Sequence, residues 1–262
     1  MAVSDHDDEE MSRFRGSFDE IAEHIEEERR SVSRLGEIRE LVFGAQDGLV
    51  STLAVVATVA GATGDNLTIL IAGLASALAG VFSMAVGEYL GTKSQEEIFR
   101  SQVQGEWQEV QDRPLEAQEE VAYLFTTEGM SEDDAWEATR IISRYPESLL
   151  ATMVSKELGL IHNDETAGSP LRGALVMGGA FAAGAVFPVA PFLFTEGIPA
   201  LVAATIATGG VLFAIGAVKT RWTHRSWLTS GLEVVALAAF AGIAGYLFGT
   251  VLPTLLGVSG VV

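Results

Sequence analysis

The sequence contains no cysteine. Disulfides, thiolate zinc sites, iron–sulfur clusters and cysteine nucleophiles are therefore excluded, and any metal must be held by oxygen, imidazole or thioether. Positive charge is also scarce. Against 35 Asp and Glu stand 16 Lys and Arg, a formal net charge of −19 over 262 residues. Phosphate contacts need a basic surface, so non-specific nucleic-acid binding is excluded as well. Lysine is the rarer cation, with 3 residues to 13 arginines, a compositional pointer to a high-salt cytoplasm. There is no Glu-x-x-His pair, which argues against a ferritin-type di-iron bundle. His24, His162 and His224 have no matching partners in sequence and read as surface residues. With no nucleophile–base constellation and no phosphate loop, the chain reads as a non-enzyme without a prosthetic group.

Apolar residues, by contrast, are abundant. The chain is 48% hydrophobic with mean hydropathy +0.31. A soluble acidic protein does not average positive hydropathy, so the acidic and apolar residues must occupy separate segments. Five stretches reach the roughly 20 apolar residues that one helical bilayer crossing takes: Leu41–Ala62, Leu67–Leu90, Leu171–Phe194, Ile198–Val218 and Leu228–Val251. The expected fold is an all-α membrane protein of five transmembrane helices, with an acidic helical cytoplasmic domain inserted between spans two and three.

The first 36 residues open with Asp5, Asp7, Asp8, Glu9 and Glu10 and lack the apolar centre of a signal peptide. Phe14, Phe18, Ile21, Ile25, Val32 and Leu35 recur at spacings of 4, 3, 4, 7 and 3. That is one stripe of an amphipathic helix leading into span one, with the membrane surface or the insertion as its expected partner. All 16 Lys and Arg fall on one side of a five-span topology. The N-terminus and residues 92–170 are therefore expected in the cytoplasm and the C-terminal tail, 256–262, outside. A prokaryotic plasma membrane is the simplest setting.

Within the insertion the pattern predicts helices Lys93–Gln111, Leu115–Glu128, Glu132–Arg144 and Pro146–Leu158, the first continuous with span two. Pro114, Gly129-Met130-Ser131 and Pro146 mark the breaks, and Ser131 with Asp134 forms a capping box.

An ionisable group within a span costs at least ~2.5 kcal/mol and by default suggests function. Asp47 sits in Phe43-Gly44-Ala45-Gln46-Asp47-Gly48 of span one, and Glu88 in Ser83-Met84-Ala85-Val86-Gly87-Glu88-Tyr89 of span two. Met84 and Glu88 are four apart and share a helix face. A carboxylate beside a thioether suits Fe²⁺ or Mn²⁺ better than Ca²⁺ or Mg²⁺. The plainer alternatives are that Met84 packs and Glu88 snorkels to the interface; Glu233, near Arg225, reads as structural. In the insertion Glu106 and Glu109 are three apart, Glu116, Glu119 and Glu120 lie at three- and four-residue spacings, and Met153 and Glu157 are four apart. Like charges so spaced destabilise a helix unless a cation neutralises them, or unless they are a solvated face. Small residues also recur every fourth position, at Gly44/Gly48, Gly87/Gly91 and Ala241/Gly245/Gly249, as at helix seams.

Three stretches together resemble the vacuolar iron transporter family of yeast and plants: Arg39-Glu40-Leu41-Val42-Phe43-Gly44-Ala45-Gln46-Asp47-Gly48-Leu49-Val50-Ser51-Thr52, Ser83-Met84-Ala85-Val86-Gly87-Glu88-Tyr89-Leu90 and Met153-Val154-Ser155-Lys156-Glu157-Leu158-Gly159-Leu160. The resemblance covers residues 37–255. It implies a homodimer with its pore at the interface, lined by spans one and two. It also implies export of Fe²⁺, and often Mn²⁺, from the cytosol against inward protons. Asp47 and Met84 match the family's pore-lining Asp and Met, and Glu40 matches an acid near the pore mouth. Glu106, Glu109, Glu116, Glu119, Met153 and Glu157 resemble its cytoplasmic metal-binding set. The two Glu pairs stand about one residue closer than in eukaryotic members, which leaves Glu120 open as a replacement for Glu116 or Glu119. Those members carry a further pore Glu where this chain has small residues near Ser76, and Glu88 is the candidate for that carboxylate. The alternative function is a membrane-anchored metal-binding or sensing protein without transport.

Overall fold

The computed structural model describes residues 4–158, 169–223 and 226–255. These fall into two compact units, Met1–Tyr89 with Pro170–Val262, and Leu90–Ser169. The chain forms α1 (Ser4–Ala62), α2 (Asn66–Asp112), α3 (Pro114–Thr127), α4 (Glu132–Ile142), α5 (Pro146–Lys156), α6 (Pro170–Val189), α7 (Gly197–Thr223) and α8 (Trp227–Leu255). Among the described residues five helices are long and apolar enough to cross a membrane, within Gly36–Ala62, Asn66–Asp112, Pro170–Leu193, Gly197–Val218 and Trp227–Leu255. The protein is an all-α membrane protein.

Helix ends follow local chemistry. Between α1 and α2 the Asp65 carboxylate accepts from the Thr68 amide at 2.9 Å, satisfying an orphan donor of the α2 N-terminus. The Asn66 side chain donates to the Phe192 carbonyl at 2.9 Å and ties this turn to the far end of the third span. That span is not one helix to Phe194. It gives way after Val189 to a 3₁₀ turn, Ala190–Leu193, because Pro191 has no N–H to continue the α ladder. The amphipathic stripe and span one are a single helix, with Phe18, Ile21 and Ile25 exposed.

In the first unit α1 packs most extensively on α6 and α8. Water is absent from a bilayer interior, so helices there associate by close van der Waals fit rather than by burial from solvent. A Cβ on Gly48 would lie 2.3 Å from the Phe181 carbonyl oxygen, and one on Gly249 would lie 1.9 Å from that of Thr58. These backbones touch directly. Gly87 and Gly91, in the same spacing pattern, have nothing within 4 Å of such a Cβ and hold no seam in the single chain.

The insertion closes around Val110, Ala117, Val121, Phe125, Leu149 and Met153. Ser131 caps α4 by accepting from the Asp134 amide at 3.2 Å, while the Asp134 carboxylate takes the Ser131 hydroxyl rather than the cap's own amide. The α3 terminus is a Schellman turn. Met130 N–H reaches the Phe125 carbonyl and Gly129 N–H the Thr126 carbonyl, with Gly129 at φ +103°.

Candidate functional site

Within the first unit α1 and α2 bring two of the expected pore residues together. Asp47, Ser51, Ser76, Gly80, Ser83 and Met84 line a recess of about 330 Å³ floored by Phe181. One turn below Asp47, the Ser51 hydroxyl donates to the Asp47 carbonyl at 2.6 Å, which leaves the carboxylate uncommitted by that bond. A Cβ on Gly80 would meet the Phe181 ring at 2.0 Å, so any larger residue there must push the ring aside. The recess offers one carboxylate, one thioether and three hydroxyls, a mixed set suited to a transition ion that keeps part of its water.

Glu40 and Glu88 meet elsewhere in this unit, around Gly173. A Cβ there would lie 3.3 Å from a Glu40 carboxylate oxygen and 3.4 Å from the Glu88 Cγ. The missing side chain is what admits both acids. Beside them Arg172 pairs with Glu37 at 3.0 Å, so cationic charge borders this acidic edge. Glu88 lies one turn from Met84, at Gly173 rather than in the Asp47 recess. Glu233 is exposed on α8.

The insertion gathers Glu109, Glu116 and Glu120, one carboxylate oxygen of each lying within 4.8 Å of the others. They come from the end of α2 and one face of α3, and Arg113, between the helices, pairs with Glu109 at 3.1 Å and Glu116 at 2.8 Å. The second Glu109 oxygen, Oε1, is buried with no hydrogen-bond partner among the described residues. Burial, then the charges of Glu109, Glu157, Glu106 and Glu116, hold the Glu120 carboxyl above its ordinary value. Five glutamates thus act on one spot. A buried orphan oxygen in a crowd of carboxylates fits an oxygen-bound divalent cation. Glu119 is exposed and stands outside the three. Met153 is fully buried in the apolar core, and Glu157 follows it as the C-cap of α5. His24 pairs with Glu28 at 3.5 Å on the surface of α1. His162, His224 and Arg225 lie outside the described residues, as do Gly159, Leu160 and the tail 256–262.

Sequence reasoning passed over Ser51, Ser83 and Arg113. The hydroxyls of Ser51 and Ser83 carried no signal, since serine is common in spans, although each lies within four residues of a suspected ligand. Arg113 stood unremarked beside the break at Pro114. Its spacing of four from Glu109 and three from Glu116 was the available clue.

The sequence pattern of the VIT family matches residues 38–250. The chain belongs to the VIT family. Vacuolar iron transporter 1 of Arabidopsis thaliana is 29% identical over 210 residues, covering 80% of this chain and 83% of that protein. The vacuolar iron transporter of Plasmodium falciparum is 25% identical over 223 residues, 82% of each. That of Toxoplasma gondii is 29% identical over 230 residues, 84% of this chain and 76% of its own. The VIT match takes in the Asp47–Met84 recess and the glutamate cluster, and leaves out the α1 residues before position 38.

Proposed function

We propose that this chain is a divalent transition-metal transporter that exports Fe²⁺, with Mn²⁺ as a second cargo, from the cytosol in exchange for protons. The observation that carries the reading is the Asp47 recess. An acid at this depth of a span cannot rest against lipid, and here it opens beside Met84 and three hydroxyls at the surface of the single chain. A second copy laid over spans one and two would enclose the recess as a pore. The long open face of α2 supports this, with Leu67, Ile71, Leu74, Leu78 and Phe82 all more than half exposed.

In this mechanism the glutamates of the insertion, on the cytoplasmic side by the distribution of Lys and Arg, gather metal at the entrance. Met84 and Asp47 then replace part of its water shell. Glu40 and Glu88 stand side by side at Gly173. They are the residues we assign to the return proton. Purified protein in liposomes under an imposed pH gradient, with a pH dye inside, tests the scheme. Metal entry coupled to proton exit, and abolished by Asp47→Ala in a protein that still folds, is the expected result. Metal binding without flux under either gradient would overturn transport in favour of an anchored binding or sensing protein.

A further inference from the structure

The α1 residues ahead of the VIT match carry a pattern that the transport reading does not use. Taking Met11 as position a, the seam positions a and d fall on Met11, Phe14, Phe18, Ile21, Ile25, Glu28, Val32 and Leu35. Seven of these eight are apolar, over three and a half heptads, the length at which a two-stranded coiled coil becomes the preferred reading. The helix is continuous, and two of its seam residues, Ile21 and Ile25, are 48% and 43% exposed.

Charge placement selects the occupant. Between 11 and 35 the acids Asp19, Glu20, Glu23, Glu26 and Glu27 all fall at b, c or f, the register positions off the seam. The flanking e and g positions hold Arg15, Ser17, Ala22, His24, Arg29 and Ser31, with no acid among them. In a chain of net charge −19, keeping acids off these positions reduces the repulsion between two identical helices, with the Glu28 pair on the seam as the exception. An interfacial membrane helix shows the opposite habit, with Lys and Arg over its polar face. This one is net acidic there, with five acids against Arg13, Arg30 and Arg34. Glu28 is the single seam acid; it pairs with His24 one turn back and is followed by Arg29 at a flanking position. One polar residue on a seam costs stability and fixes register.

We infer that residues 11–35 form a parallel two-stranded coiled coil with the same segment of a second copy. The parallel sense follows from connectivity. α1 passes unbroken from this seam into span one, so two copies inserted the same way present their helices side by side, in register, on one face of the membrane.

The absence of native cysteine gives a clean test in the full-length protein. Cα atoms facing each other at a or d are within the 4.4–6.8 Å that a disulfide takes, and those at f are far beyond it. Under mild oxidation in membranes, Ile21→Cys and Ile25→Cys should yield a linked dimer at least tenfold faster than Glu23→Cys. Ile21→Glu added to Ile25→Cys should abolish the link, and Glu28→Leu added to it should speed it. Equal linkage at 21, 23 and 25, or none at any of them, overturns the coiled coil. So does quenching of an Ile25→Trp fluorophore by brominated lipid, which would place the stripe on the membrane. The link is read without metal or gradient, so it stands or falls separately from transport.

Discussion

Replacing Glu109 with glutamine should strengthen the metal-free insertion and weaken it in the presence of metal. One oxygen from each of Glu109, Glu116 and Glu120 lies within 4.8 Å of the others. At that distance two unit charges repel by about 0.9 kcal/mol in water and about 3.5 kcal/mol at an effective dielectric of 20. Glu116 is half exposed, so screening places each pair near the lower figure, about 1 kcal/mol. Glutamine keeps the shape of Glu109 and removes its two repulsions, about 2 kcal/mol. It forfeits the ion pair with Arg113, worth about 0–1 kcal/mol at such a site. The net is roughly 1 kcal/mol in favour of the metal-free fold. The same change takes one carboxylate of three from a bound cation, for which a loss of about 10–100-fold in affinity is expected, by analogy with outer-shell metal partners.

Hydrogen exchange on the full-length protein, followed in peptides from α3 and the end of α2 with and without Mn²⁺, reads both effects. Glu109→Gln should exchange more slowly than the parent without metal and gain little when metal is added. Faster exchange without metal, combined with full metal protection, would refute both the repulsion and the site.

Proton linkage follows from Glu120. Its carboxyl is held above the ordinary value near 4.5, first by burial and then by its neighbours. Its contribution to stability is therefore complete below that value and is lost as pH rises through the raised one. The metal-free insertion should loosen over this window, and added Mn²⁺ should restore it while releasing protons, measurable by calorimetry in buffers of different ionisation heat. Gly80→Ala should impair flux while sparing metal binding by the insertion, since the new Cβ displaces the Phe181 ring that floors the recess. Parent-like transport rates would count against the recess as the path. Gly48→Val forces α1 off α6 and should cost at least 1–3 kcal/mol, seen as lost folded yield. Gly87→Val meets open space and should leave the thermal midpoint within a degree or two of the parent.

Much of this was legible in the sequence. Charge-free runs of membrane length, and Pro114, Gly129 and Pro146 at the breaks, gave helix ends within two residues in the insertion, because termini are set by local backbone chemistry. The end of α6 was not, since Pro191 sits inside an unbroken apolar run. Glu119 and Glu120 could not be told apart by spacing. Both lie within one turn of Glu116, and only the phase fixed by Glu109 across the α2–α3 break chooses Glu120. Met153 looked the same as a ligand or as core until Val110, Ala117 and Val121 were seen to surround it. Asp47 with Met84, on two helices, was suspected from residue type and family resemblance, whereas Ser51, Ser76 and Ser83 became visible only in three dimensions.

The glycines distinguish two kinds of joint. At Gly44, Gly48, Gly61, Gly184, Gly245 and Gly249, where α1 meets α6 and α8, the atom nearest a would-be Cβ is a carbonyl oxygen, of Met177, Phe181, Tyr246, Ala45, Ala54 and Thr58. Main chain rests on main chain there, and no layer of rotamers is available to absorb a shift. At Gly73 and Gly80 of α2 the nearest atoms are side chains, the Val189 and Val56 methyls and the Phe181 ring, which can turn. The three helices that meet by their backbones therefore behave as a chassis. Within this unit the α2 wall of the recess rests on the Phe181 ring at Gly80, whereas the α1 wall that carries Asp47 rests on main chain at Gly44 and Gly48, so the α2 wall is the one with side-chain freedom beneath it.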